Sequence, residues 1–205
     1  MRLHFPILLS VIMFIGVLQY AIRKARGKNE RADKAFWKRE AEANNVRRKP
    51  LDDVEYLSVD LDRLPVDVLP DDETVSDCIK NLRELAEEKI INLTGMTNTD
   101  LKMKYGVANL TYLSECDNRY TTLIQTLQKW ADHLWEKGQT DAAVRIMEYE
   151  VSINSDAPSV YRRLASYYNK RGETDKILSL IDTVEKMNLI TTKGLISDLK
   201  EYTQN

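Results

Sequence analysis

Apolar side chains recur along this chain in three patterns, and each predicts a different kind of element. Residues Leu3 to Ile22 form a nearly unbroken apolar run, interrupted by the polar residues His4, Ser10 and Gln19. A helix of about 20 such residues matches the ~30 Å hydrocarbon core of a bilayer. A second pattern is alternation: Leu57, Val59 and Leu61 take turns with polar residues, while Pro50, Pro65 and Pro70 exclude a long helix. This predicts an extended ribbon lying on helices, with no second strand to pair it. The third pattern is helical. From Thr74, apolar positions Val75, Ile79, Leu82, Ala86 and Ile90 fall three or four apart, behind Asp71, Asp72 and Glu73, which suit a helix N-terminus. Leu101, Tyr105, Tyr112 and Leu113 predict another helix over Asp100 to Cys116, weakened by Gly106, with a fresh helix starting at Asp117 or Asn118.

The helical pattern then repeats itself. Leu127, Trp130, Ala131 and Leu134 precede Lys137, Gly138, Thr140 and Asp141; Tyr161, Leu164, Ala165 and Tyr168 precede Arg171, Gly172, Thr174 and Asp175. The two glycines are 34 residues apart. Each follows a basic residue, as expected where a helix ends with a cation in its last turn and a residue free to take positive φ. Thr140 and Thr174, or the aspartates after them, are placed to cap a second helix. Those second helices carry Ala143, Ile146, Met147 and Val151, then Ile177, Leu180, Ile181, Val184 and Met187. Pro158 is placed to open the second copy, where a helix tolerates proline. Leu195, Leu199 and Tyr202 begin a partial third copy.

This 34-residue register of alanine, glycine, threonine and aspartate resembles the tetratricopeptide repeat. The resemblance covers roughly residues 124 to 191, and Glu150 departs from it, standing where a small residue is usual. It implies an all-α fold, an α-solenoid of helical hairpins over residues 72–205. Its repeats fall at about 124–157 and 158–191, with extra helices over 72–118 and a capping helix over 192–203, because two repeats alone bury too little. It also implies a groove lined by the first helix of each pair. Mapped onto this chain, the groove residues are Gln128, Asp132 and Trp135, then Arg162, Ser166, Asn169 and Lys170. Trp135, an aromatic on a polar face, is the expected peptide anchor, with packing inside the domain as its alternative.

Charge divides the first part of the chain. The total is −2, yet residues 23–49 hold about seven more basic than acidic side chains and residues 50–77 about nine more acidic than basic. With the apolar run this gives a transmembrane anchor over 1–22, a basic juxtamembrane helical stalk over 23–49 and an acidic ribbon over 50–71. Arg23, Lys24, Arg26 and Lys28 directly after the run are expected at the membrane surface. They resist translocation, so the body is expected in the cytoplasm. A cleaved signal peptide fits less well, since only Arg2 precedes the run and no small-residue cleavage site follows it. The stalk either hugs anionic lipid, with Phe36 and Trp37 dipping into the interface, or serves only topology and spacing. Residues 36–64 also resemble the region after the anchor in uncharacterised membrane-anchored proteins of Gram-positive anaerobes, which implies no activity. The acidic ribbon could lie in the groove against Arg162, Arg163 and Lys170.

Reaction chemistry finds no footing. The chain has no phosphate loop, G-x-G-x-x-G, G-x-S-x-G or H-E-x-x-H. Cys78 and Cys116 read as reduced core thiols. His133 is the one histidine beyond the anchor, and its expected role is structural. The expectation is therefore a non-enzymatic, membrane-tethered scaffold with a protein or peptide partner and no nucleic acid, small-molecule substrate, metal or cofactor. The alternative is an extracytoplasmic envelope chaperone or assembly factor of opposite topology.

Overall fold

The computed structural model describes residues 5–189 and 192–203. Its helices are α1 (Phe5–Asn44), α2 (Glu73–Ala86), α3 (Asn98–Tyr105), α4 (Leu110–Glu136), α5 (Thr140–Ser152), α6 (Pro158–Arg171), α7 (Thr174–Met187) and α8 (Thr192–Glu201). Short 3-10 turns lie at Leu61–Arg63 and Val107–Asn109. The fold is all-α. The helices belong to two compact units built from interleaved segments: the chain up to Pro50 with Thr97–Leu110, and Leu51–Met96 with the chain from Thr111.

In the first unit α1 runs unbroken for 40 residues. Met13, Phe14, Val17, Leu18, Tyr20 and Ile22 are exposed on it. Part of the Leu3–Ile22 run lies outside the described residues. Among the described residues, no helix is long and apolar enough to cross a membrane. The far end of α1 is clasped by α3. Ala43, Leu101 and Tyr105 are buried there, Arg39 pairs with Asp100 at 2.6 Å, and Glu40 accepts the Thr99 hydroxyl at 2.6 Å and pairs with Lys102. A capping box between Thr97 and Asp100 starts α3.

The helix expected over Asp100–Cys116 is not continuous. Gly106 takes φ +84° and ends α3, and a Cβ there would overlap the Arg47 carbonyl. Buried Asn109 then donates to the carbonyls of Lys49 and Tyr105, both at 2.8 Å. Nor does a new helix start at Asp117 or Asn118, because α4 passes straight through them. The Asp117 carboxylate is used sideways instead, accepting the Leu93 N–H at 3.0 Å.

The second unit holds the repeated hairpins, α4 with α5 and α6 with α7. Both first helices close alike: Gly138 and Gly172 take φ +77° and +70°, and Gln139 and Glu173 donate back to the carbonyls of Leu134 and Tyr168 at 2.8 and 2.9 Å. Pro158 sits in the first turn of α6. Thr140 and Thr174 begin α5 and α7 but do not cap them. The cap positions are Gln139 and Glu173, without a side-chain cap bond. The first-turn acids Asp141 and Asp175 complement the helix dipoles instead.

One core runs through this unit, with Trp130, Tyr149 and Tyr161 among its largest fully buried side chains. The acidic ribbon belongs to it: Val59 and Leu64 are buried in the same core. The ribbon also finds a pairing partner that the sequence did not suggest. Leu57 forms an antiparallel bridge with Ile90, donating its N–H at 2.8 Å. Nearby, Tyr149 Oη accepts the Asp60 N–H at 3.0 Å, and the Arg63 guanidinium lies over the Tyr149 ring.

Candidate partner-binding face

The first helices of successive hairpins lie side by side and are stitched by charge. Asp132 on α4 pairs with Arg163 on α6. Arg162, the preceding residue on α6, pairs with Asp198 on α8 at 2.8 Å. Adjacent arginines on one helix thus reach opposite neighbours, which orders α4, α6 and α8 into a row.

The expected groove residues distribute unevenly along this row. Asp132, Arg162 and Lys170 are exposed, and Gln128, Ser166 and Asn169 are half-buried. Trp135 is half-buried as well, because its ring meets Tyr167 edge-on with centroids 6.5 Å apart and the Arg163 guanidinium lies 5.5 Å above it. Tyr167 in turn donates its hydroxyl to Asp141 at 2.7 Å. Trp135 is therefore packed against α6 on an aromatic and cationic platform. Arg162 and Arg163 are paired with helix-borne aspartates, and the ribbon's bonds go to Ile90 and Tyr149. The basic residues expected at a membrane lie far along the chain from this row. Lys24 is exposed, and the side chains of Arg23, Arg26 and Lys28 lie outside the described residues.

Beneath the row lies a carboxyl group that sequence reasoning noticed only as a departure. Glu150 on α5 is fully buried. Its Oε2 accepts from Gln128 at 3.4 Å, and its Oε1 has no hydrogen-bond partner. Burial pushes its pKa up to about 8, opposed by the Gln128 bond and by Arg163. A cavity of about 90 Å³ reaches it, lined also by Gln128, Ala131, Asp132, Met147, Ser159, Val160 and Arg163. A larger open cleft of about 660 Å³ lies elsewhere, among Tyr56, Leu57, Asn92, Asn154, Lys186 and Leu189.

Asp72 and His133 join two helices. Asp72 caps α2 by accepting from Thr74 and Val75, and His133 Nε2 stands 2.9 Å from its carboxylate. The imidazole, the Val75 N–H and Lys137 together hold Asp72 down at about 2. His133 thereby links α4 to the start of α2. Cys78 and Cys116 are free and buried. Among the described residues, no group of three His, Cys, Asp or Glu side chains is placed to hold a metal ion. Compared with known proteins, the chain matches no family model, no curated protein and no solved structure.

Proposed function

We propose that this chain is a non-enzymatic, membrane-tethered interaction module. In this reading a tetratricopeptide-like face of α4, α6 and α8, directed to the cytoplasm, holds a protein or peptide partner. The observation that carries it is an echo in burial. Leu127, Trp130, Ala131 and Leu134 are buried, and so, 34 residues later, are Tyr161, Leu164, Ala165 and Tyr168. In a tetratricopeptide-like stack, hairpins that bury the same register positions present their first helices on a common face. The exposed apolar stretch from Met13 to Ile22 and the basic block after it support the anchor. Tethering concentrates the face near the membrane, so a modest intrinsic affinity suffices.

Affinity capture from solubilised membranes tests the face, using the natural chain beside Lys170→Glu and Trp135→Ala. Loss of one specific partner in both variants is expected; its retention in both rejects the face. Orientation is tested separately with protease added to intact spheroplasts. Survival of the C-terminal helices is expected, and their digestion would establish the opposite topology.

A further inference from the structure

We propose that the cavity between α4, α5 and α6, floored by Glu150, is a subsite for a primary ammonium group, supplied by a lysine side chain of the partner segment. The inference deepens the reading of the face and rests on it for the source of the ammonium. Four features of the cavity argue for it.

The first is an unmet acceptor. Glu150 is 0% exposed, yet its Oε1 has no partner, so once ionised the carboxylate would be one hydrogen-bond donor short. The second is charge balance. The other polar groups lining the cavity are Gln128 and Asp132 from α4 and Ser159 and Arg163 from α6, and the buried, neutral Tyr120 and Tyr161 also act on Glu150 from these helices. Arg163 is committed to Asp132 and to the Trp135 ring. Ionised Glu150 would thus be the one uncompensated charge among these groups, and a cation is its complement. The third is size. A volume of about 90 Å³ holds roughly three water-sized groups. That is room for the tip of one side chain, such as the outer part of a lysine, and for no larger ligand. The fourth is polarity. Asp132 and Ser159 are exposed at the mouth, while Ala131 and Met147 are buried beside Glu150. Methylenes would pass apolar walls before the ammonium meets oxygen.

Burial keeps the empty site's carboxyl protonated at neutral pH. Binding an ammonium ionises it and releases that proton, so affinity rises with pH between about 6 and 8.

The test uses the full chain in detergent, with glutamate carboxyl carbons labelled and a phosphate buffer free of amines. The Glu150 resonance is assigned by its disappearance in Glu150→Gln and followed from pH 4 to 9. Saturating n-propylammonium is expected to lower its pKa by at least one unit, a tenfold preference for the ionised form. 1-Propanol is expected to leave it unchanged. Nα-acetyl-lysine N-methylamide should act as propylammonium does, and alanine N-methylamide, which offers a chain amino terminus, should not. No shift with propylammonium, or equal binding to Glu150→Gln seen at the Ala131 and Val160 amides, overturns the subsite. The reverse order of the two amides overturns the lysine assignment. These arms need no partner, so they fail or succeed apart from the face itself. Partner capture lost in Lys170→Glu but kept in Glu150→Gln would leave the face standing and remove the subsite from it.

Discussion

Glu150 fills the slot that Val184 fills one repeat later, and both are fully buried. Its pKa is about 8 in the folded chain, against ~4.3 unfolded. Between these values the folded state binds the extra proton, so its contribution to stability is complete at low pH and is lost as pH rises toward 8. Asp72 works in the opposite sense. Its depressed pKa favours the fold above about pH 4 and is constant above pH 5.5. Stability should therefore drop between pH 5.5 and 8.5 by about 2–4 kcal/mol through Glu150. Glu150→Gln should flatten that drop in denaturant unfolding, and an unchanged slope would place the titration elsewhere. Glycine gives a second residue-scale contrast. Gly138 has open space around its α-carbon, so Gly138→Ala costs about 1 kcal/mol for its positive φ alone. Gly106→Ala adds a backbone collision with Arg47 and should cost at least about 2 kcal/mol. Amide exchange over 98–109 reports it. The sequence marked Glu150 as out of pattern and Gly106 as a weak point. Neither its orphaned oxygen nor the Arg47 carbonyl was legible, because both depend on segments brought together from a distance.

At the scale of elements, punctuation explains what was readable. Gly138, Pro158 and Gly172 stand at helix ends and carry their own conformational reason. Asp117 misled because an aspartate that caps and one that serves a neighbouring loop look alike until Leu93 is placed beside it. Thr140 misled because either of two adjacent residues can be the first in a helix. The unbroken course of α1 carries the most consequence. At ~1.5 Å per residue, Phe36 lies ~20 Å along the axis beyond Ile22. Phe36 and Trp37 are exposed and stacked edge-on, 5.3 Å apart. If the first half of α1 spans a bilayer as proposed, a helix that long carries them away from it, as a spacer would and a stalk lying on lipid would not. Brominated lipid should then fail to quench Trp37, read as the difference between the natural chain and Trp37→Phe in liposomes. Strong quenching would restore the surface-hugging stalk.

For the whole molecule, the boundary that composition suggested near residue 72 differs from the physical one. The proline-containing ribbon gives way to a helix there, but Val59 and Leu64 are buried with Trp130 and Leu134 in one core. Acidity concealed this, since the apolar side of an alternating ribbon is averaged away with its polar side. A chain beginning at residue 72 should lose roughly 3–5 kcal/mol relative to one beginning at 51, from Val59 and Leu64 alone. Their unfolding midpoints in urea compare directly, and equal midpoints would make the ribbon dispensable.

The interleaving of the two units bears on release. The first fifty residues are joined to the rest through one peptide bond after Pro50, and again without covalent linkage through the α1–α3 clasp. A protease that severs the chain after Pro50 would not shed the body of the protein. The severed segment would still be gripped by residues 98–109, and its release would wait on the opening of a few hydrogen bonds and ion pairs rather than on the cut itself.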